Sequence, residues 1–323
     1  MPDTCTVPEM GLYVVTSFLP TLRHIRRWKP DVIHAHFAVP TGLLAWAVHR
    51  LTGVPYMLTA HLGDVPGGVP EQTDRMFTLI SPLARRIWRD AAAATAVSSF
   101  VQELAQNAYR RTVTRILNGI DLSHAPTAAP VPHQPRRLVF IGRLNPQKNP
   151  VFLIEALAHL RDAVWTLTFI GDGPLMDEVK AAIAQHRLEN RIALTGWLAP
   201  EKVHAILADG DILCMPSMSE GMPVVGVEAL KFGLAIVASD IPGLRDVIDN
   251  GVNGCFVPVG DLVGFVERLR QLIDNETLLA AMKHASWEKS HRFDLTEIAH
   301  EYAHVLAEAA DASANAGAST AID

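Results

Sequence analysis

Residues 219–240 read SEGMPVVGVEALKFGLAIVASD, and the reading of this stretch decides that of the chain. The backbone turns at Gly221 and Pro223 behind an acidic Glu220, enters a helix that carries Glu228, and ends in an apolar strand. Proline at a first helical position gives up an N–H that has no partner there, and glycine lets backbone approach a ligand closely. The first-turn N–H groups and the positive end of the helix dipole suit a phosphate, with Glu220 beside it on the loop and Glu228 further along the helix. A buried βαβ unit with two acidic surface residues fits the same letters, so the surroundings decide.

Those surroundings alternate. Apolar runs at 31–36 (DVIHAH), 55–61, 91–97 and 112–117 predict strands, with helices over 41–51, 74–90 and from Ser99. A first helix over 10–28 is expected to bend or break at Pro20, and GDVPGGVP (63–70) is too rich in Gly and Pro for a helix or central strand. Residues 118–136, NGIDLSHAPTAAPVPHQPR, hold four prolines and are expected to link two domains. The alternation then restarts, with strands at 137–142, 165–171, 191–196, 212–216, up to Asp240 and at 253–258. Helices are expected over 150–161, 174–185, 200–208, from Val224, and over 261–274, 276–287 and 294–310.

The fold expected is α/β: two Rossmann-like, doubly wound parallel-sheet domains that face each other across a cleft with the carboxyl ends of their strands. The first covers 1–130 and the second 131–290, with a closing helix to 310. The Ala/Ser tail 311–323 has little to bury and is expected to be disordered.

Length and composition agree with two soluble domains: 323 residues, 49% hydrophobic and 19% charged. Cys5, Cys214 and Cys255 are far apart and form no C-x-x-C, which points away from a disulfide framework or zinc site and towards a reducing cytoplasm. The apolar run 10–19 is shorter than a membrane span and has its basic residues behind it, so it reads as a core helix, not an export signal. Residues 1–130 carry 12 basic against 9 acidic side chains, and 131–323 carry 16 against 25. Arg23, Arg26, Arg27, Trp28 and Lys29 cluster, as do Arg85, Arg86, Trp88 and Arg89, which suits either an anionic membrane surface or a solvated helix face. No nucleic-acid-binding module accompanies them.

The candidates for chemistry follow predicted strands. GRLNPQKN (142–149) brings Arg143 and Lys148 into one loop, two cations able to neutralise a diphosphate or simply two exposed charges. GDGP (171–174) is a tight turn at a strand end, and TGWL (195–198) is placed for its backbone to meet a planar base. His34 and His36 share a face of their strand and His61 ends the next. They lack a fourth ligand or H-E-x-x-H spacing, so hydrogen bonding to a sugar or acceptor is favoured for His36 and His61 over a metal, and a structural place for His34. Asp64 reads as an acceptor-side carboxylate or as a turn former.

Taken together, these pieces resemble a family 4 retaining glycosyltransferase of the GT-B fold, whose signature is two glutamates separated by seven residues. The likeness runs through DVIHAH, NGID (118–121), GRLNPQKN, GDGP, the E-G-M-P of 220–223 with Glu228, ASDIPGLRDVI (238–248) and NGVNGCFVPVGD (250–261). It implies that Arg143 and Lys148 clamp the donor diphosphate. Gly142, Gly171, Gly173, Trp197 and Leu198 would then line the donor site, and the backbone of Gly221, Met222, Pro223, Val224 and Val225 would cradle phosphate. Glu220 would hold the donor sugar's hydroxyls, Glu228 the ribose, and His36 would stand beside the reacting sugar, with His61 and Asp64 on the acceptor side. The helix after HRFD (291–294) would cross back onto the first domain.

The resemblance further implies transfer of a hexose from a nucleotide diphosphate sugar to a hydroxyl acceptor, a glycan or lipid-linked molecule, without metal or cofactor. The chain departs from the pattern with Leu234 where the family usually has proline. The family also places a first strand, a glycine-rich loop, a helix and further strands ahead of the segment resembling 10–36, whereas here residues 1–30 precede the first predicted strand. Either the start is misplaced and further residues precede Met1, or the first domain is expected to have an incomplete sheet with an exposed edge. A non-catalytic nucleotide-sugar binding or scaffold protein, and a nucleotide-sugar epimerase, remain as other readings.

Overall fold

The computed structural model describes residues 7–319 other than Val69 and Ala129, so the expectations that fall on Cys5 and on 320–323 lie outside the described residues. The chain forms two compact units, one of residues up to Leu117 and from Glu297, the other Asn118–Thr296.

In the first unit, helix α1 (Val7–Trp28) precedes β1 (Ile33–His36), an irregular turn at Ala38–Gly42, α2 (Leu43–Thr52) and β2 (Tyr56–Ala60). Helix α3 (Pro70–Asp90), β3 (Ala93–Ala96), α4 (Ser99–Tyr109) and the short β4 (Thr114–Arg115) complete the alternation. The four strands form one parallel sheet in the order β1-β2-β3-β4. Strand β2 is buried throughout, and the small residues of β3 let helices close over it. Helix α4 starts at Ser98, whose Oγ accepts from the Val101 N–H at 3.2 Å.

Two expectations about α1 change. The helix continues through Pro20, because Phe18, Leu22 and Ile25 pack against Leu44 and Val48 on both sides of the lost N–H. It is also not a wholly buried core helix. Its packed face is the Phe18–Leu22–Ile25 stripe, while Leu12, Val15 and Leu19, at a spacing of one helical face, are exposed.

The second unit contains β5 (Arg136–Ile141), α5 (Pro150–Ala158), β6 (Trp165–Ile170), α6 (Met176–Gln185), β7 (Ile192–Leu194), α7 (Pro200–Ala208) and β8 (Ile212–Met215). It continues with α8 (Val224–Lys231), β9 (Ala235–Ser239), β10 (Gly254–Val257), α9 (Leu262–Asp274) and α10 (Glu276–Ser290). The sheet is parallel in the order β10-β9-β8-β5-β6-β7. From β5 the chain moves outward through β6 and β7, then returns to pair β8 with β5 on its other side. That reversal makes the β5/β8 gap a topological switch point, where open α/β sheets bind ligands outside the carboxyl ends of their strands. Phe140, Trp165, Phe169, Leu153 and Phe265 lie in the core, and Asp261 and Asn275 cap α9 and α10 through their side chains.

The proline-rich segment after Asn118 belongs to the second unit. The Asn118 amide donates to Met222 O at 2.9 Å, Lys231 Nζ to Asp121 O at 2.6 Å and the Trp287 indole to Pro126 O at 2.9 Å. These bonds give an irregular segment partners that its composition does not announce. The last helix, α11 (Leu295–Ser319), runs past residue 310 into the stretch expected to be a disordered tail. Residues from Glu297 group with the first unit, where the Tyr302 ring lies 5.4 Å from that of His34.

Candidate functional site

The loops that leave β5, β6, β7 and β8 are tied into one rim. Leu144 N donates to Asp172 O at 3.0 Å, Gly171 N to Gly196 O at 2.9 Å, and Met218 N to Gln147 O at 2.7 Å. Such approach requires glycine. A Cβ on Gly171 would stand 2.0 Å from Gly142 O, and one on Gly173 would stand 2.4 Å from Leu144 O. Gly142 and Gly171 also hold φ of 156° and 131°, values that L side chains rarely adopt.

At the switch point itself, Lys148 Nζ lies 2.5 Å from Glu220 Oε1. The pair spans the β5/β8 gap, with the Glu220 side chain 8% exposed and that of Lys148 19% exposed. Gln147 stands behind it, its Nε2 donating to Ser219 O at 2.9 Å. Ser219 Oγ is buried beside the pair with no hydrogen-bond partner among the described residues. Arg143 leaves β5 in the same loop and is half-buried.

Helix α8 begins at Val224 behind Pro223, which is the extended N-cap and not, as expected, the first helical residue. It has no side-chain cap; of its first-turn N–H groups that of Gly226 donates to Pro223 O at 3.0 Å, which leaves those of Val224 and Val225 to other partners. Met222 is buried and held by Asn118, Val224 is exposed and Val225 half-buried. On the other side of the rim Trp197 is 68% exposed and Leu198 half-buried. The Glu228 carboxylate is 3.4 Å from His204 Nε2 of α7.

In the first unit, His36 Nδ1 and His61 Nε2 are 3.0 Å apart, and the His34 and His36 ring centroids 4.3 Å apart. Burial pushes His34 down to about 4, helped by the neighbouring His36 and His61 charges. It also lowers His36 and His61, with Asp64 pulling both the other way and His36 adding to the fall at His61. All three rings are therefore held towards the neutral form, able to donate from one nitrogen and accept at the other. His34 Nε2 is fixed by Thr59 Oγ1 at 2.7 Å, a structural place.

Asp64 acts as the turn former in place of the acceptor contact. Its carboxylate accepts from the backbone N–H groups of Ala38, His61 and Leu62 at 3.1, 2.9 and 3.1 Å. Three bonds to a carboxylate that is 4% exposed leave little capacity for a ligand.

Among the described residues no group of three or more His, Cys, Asp or Glu is arranged to hold a metal ion. The D-x-D triplet Asp209-Gly210-Asp211 lies at the amino end of β8 and away from the rim. Asp211 is wholly buried and accepts from His133 N, Arg137 N and Lys283 Nζ, while Asp209 pairs with Arg137. Both carboxylates hold the unit together. The thiols of Cys214 and Cys255 are buried and free, and no helix among the described residues is long and apolar enough to cross a membrane.

Gln147, His204 and Gly243 escaped the sequence reading, because each acts on a residue far away in the chain. A Cβ on Gly243 would lie 1.8 Å from Glu220 O, so the turn Pro242–Leu244 supports the Glu220 backbone directly. Its only trace in the sequence is its place within ASDIPGLRDVI.

Comparison with known proteins agrees with this architecture. The family model described as Glycosyl transferases group 1 matches residues 125–289, and that described as Glycosyltransferase Family 4 matches 5–124. A 2-deoxystreptamine glucosyltransferase of Streptomyces kanamyceticus is 28% identical over 283 residues, covering 81% of this chain and 73% of that protein. A putative teichuronic acid biosynthesis glycosyltransferase, TuaC of Bacillus subtilis, is 31% identical over 244 residues, covering 72% of this chain and 59% of its own length. Among solved structures, Anabaena Alr3699/HepE in complex with UDP-glucose superposes with a TM-score of 0.74 at 22% identity, over 93% of this chain and 82% of that one. Two parallel-sheet α/β units, a rim of glycine-backed loops at a switch point and these matches lead to one assignment: the chain belongs to the glycosyltransferases, with a family 4 segment followed by a group 1 segment in a GT-B fold.

Proposed function

We propose that the chain transfers a hexose from a nucleotide diphosphate sugar to a hydroxyl acceptor with retention at the anomeric carbon. The Lys148–Glu220 pair at the β5/β8 switch point carries this reading. A nucleotide sugar offers a diphosphate that needs cations and sugar hydroxyls that need an acceptor, and here a cation and a carboxylate sit together beside an uncapped helix start. The HepE complex supports the donor class, since a protein of similar fold holds UDP-glucose.

In this proposal Lys148, Arg143 and the first-turn N–H groups of α8 meet the diphosphate, and the backbone at Gly142, Gly171 and Gly173 lets it approach. Glu220 accepts from the sugar hydroxyls, Glu228 from the ribose, and the base lies against Trp197 and Leu198. The bond from the anomeric carbon to the diphosphate breaks with its electron pair on the departing oxygen. The acceptor oxygen bonds to that carbon from the same face, and its proton passes to the departing phosphate. Catalysis rests on positioning and on stabilising the charge that develops on the diphosphate, which side chains and amides supply without a metal or cofactor. His36 and His61, neutral at pH 7, belong to the acceptor side.

Exposed Leu12, Val15 and Leu19 on α1 lead into Arg23, Arg26 and Arg27, a pattern that suits an anionic bilayer and hence an acceptor at the cytoplasmic face of a membrane. Vesicles containing anionic lipid are expected to sediment the chain at low salt and release it at high salt. Full recovery in the supernatant at low salt would remove the membrane from the proposal.

Transfer itself is tested by incubating the chain with UDP-glucose and a panel of hydroxyl acceptors and reading products by proton NMR. The expected product keeps the donor's anomeric configuration. An inverted product contradicts retention, and binding without product on any acceptor favours a scaffold. Altered ring stereochemistry in the absence of acceptor marks an epimerase.

A further inference from the structure

Helix α7 brings two things to the donor side of the second unit. The loop leading into it holds Trp197 and Leu198, and one turn inside it His204 reaches across to α8, where its Nε2 lies 3.4 Å from Glu228 Oε1. The His204 ring is held in turn by Phe232, the residue that ends α8, with centroids 5.5 Å apart. His204 and Glu228 are both partly open, at 39% and 27% side-chain exposure, so the contact sits at the edge of the site and not in the core.

We propose that His204 is a positioning residue that fixes Glu228 for recognition of a nucleoside's ribose diol. The proposal rests on the donor-site reading of Glu228 given above. A glutamate at a helix surface has three side-chain torsions to lose on binding, and one donor on Oε1 removes much of that freedom beforehand. With its proton on Nε2 the imidazole donates to Oε1. Oε2 is then left to accept from ribose. Because His204 shares α7 with the loop carrying Trp197, the same contact fixes the ribose carboxylate relative to the base platform. Selection for a ribonucleoside over its deoxy analogue thus depends on a residue that does not itself touch the nucleotide.

The test compares ribose discrimination and not affinity alone. By calorimetry with the full chain, the tightest-binding of UDP, GDP and ADP is measured against its 2′,3′-dideoxy analogue, for the wild type and for E228A, H204A and H204Q. The wild type is expected to prefer the ribonucleotide by about tenfold, as loss of a hydrogen bond to a charged group requires. E228A should abolish the preference, and H204A should reduce it to about twofold by leaving the carboxylate mobile. H204Q, whose amide can donate from a similar position, should restore most of it. Equal loss of both nucleotides in H204A, with the preference intact, shows a merely structural role and overturns the proposal. A wild type without preference, or an E228A that keeps it, refutes the ribose role of Glu228 while His204 is intact, and the proposal falls with it.

Discussion

Replacing Lys148 by alanine is expected to lower kcat/KM for sugar transfer by about 10²- to 10³-fold, the range for removing one group aimed at developing transition-state charge. The same substitution has a second effect, because it leaves the Glu220 carboxylate buried without its cation. Breaking one side of a buried pair costs about 3 kcal/mol when both partners are fully enclosed. Lys148 keeps 19% of its side chain exposed, so the loss here should be smaller. A lowered Tm alone would therefore say little about catalysis. The double variant K148A/E220A separates the two effects: without the orphaned charge it should regain most of the Tm that K148A loses, yet remain inactive. Near-normal turnover in K148A, under conditions where it is folded, contradicts the assignment of the clamp.

Gly243→Ala is expected to be as damaging to activity although residue 243 contacts no ligand in the proposed arrangement. The added carbon would meet Glu220 O at 1.8 Å, Glu220 C at 2.5 Å and Gly221 O at 3.0 Å, all backbone atoms with no rotamer to yield. The loop must shift, and a displacement of about 1 Å at a positioned group can cost about 10²-fold in rate. The stability cost of such overpacking is about 1–3 kcal/mol, small enough for the sheet to survive. Gly251→Ala is the control. Gly251 has a φ of 81° but nothing within 4 Å of its added Cβ, so that variant should lose about 1 kcal/mol to backbone strain and keep its turnover. Full activity in G243A would mean that the geometry of the Glu220 loop does not matter to the reaction.

The sheet architecture was legible because a parallel strand covered on both faces must be apolar at nearly every position, and runs such as RLVFIG and AIVAS announce it. Lys148 and Glu220 were legible as candidates for chemistry for a related reason: each follows such a strand, where a charge has no place in the core. What the sequence hid was pairing across distance. Nothing local in GRLNPQKN says that Lys148 would meet Glu220, or that Gln147 would lie against Ser219. Asp64 was ambiguous for the same cause, since a carboxylate in a Gly-rich loop serves a ligand or a turn with the same letters, and only its three backbone donors decide. At Pro20 a local rule for breakers yielded to packing, since α1 runs on through it with Leu22 held against Leu44 and Val48.

In the proposed arrangement the β5/β8 switch point of the second unit holds the diphosphate of a nucleotide sugar. A crystal structure of the chain with UDP-glucose tests it most directly. The diphosphate is expected within hydrogen-bonding reach of Lys148 Nζ and the first-turn N–H groups of α8, with Glu220 turned to the sugar. A nucleotide seated elsewhere, with the Lys148–Glu220 pair still closed at 2.5 Å, would contradict it.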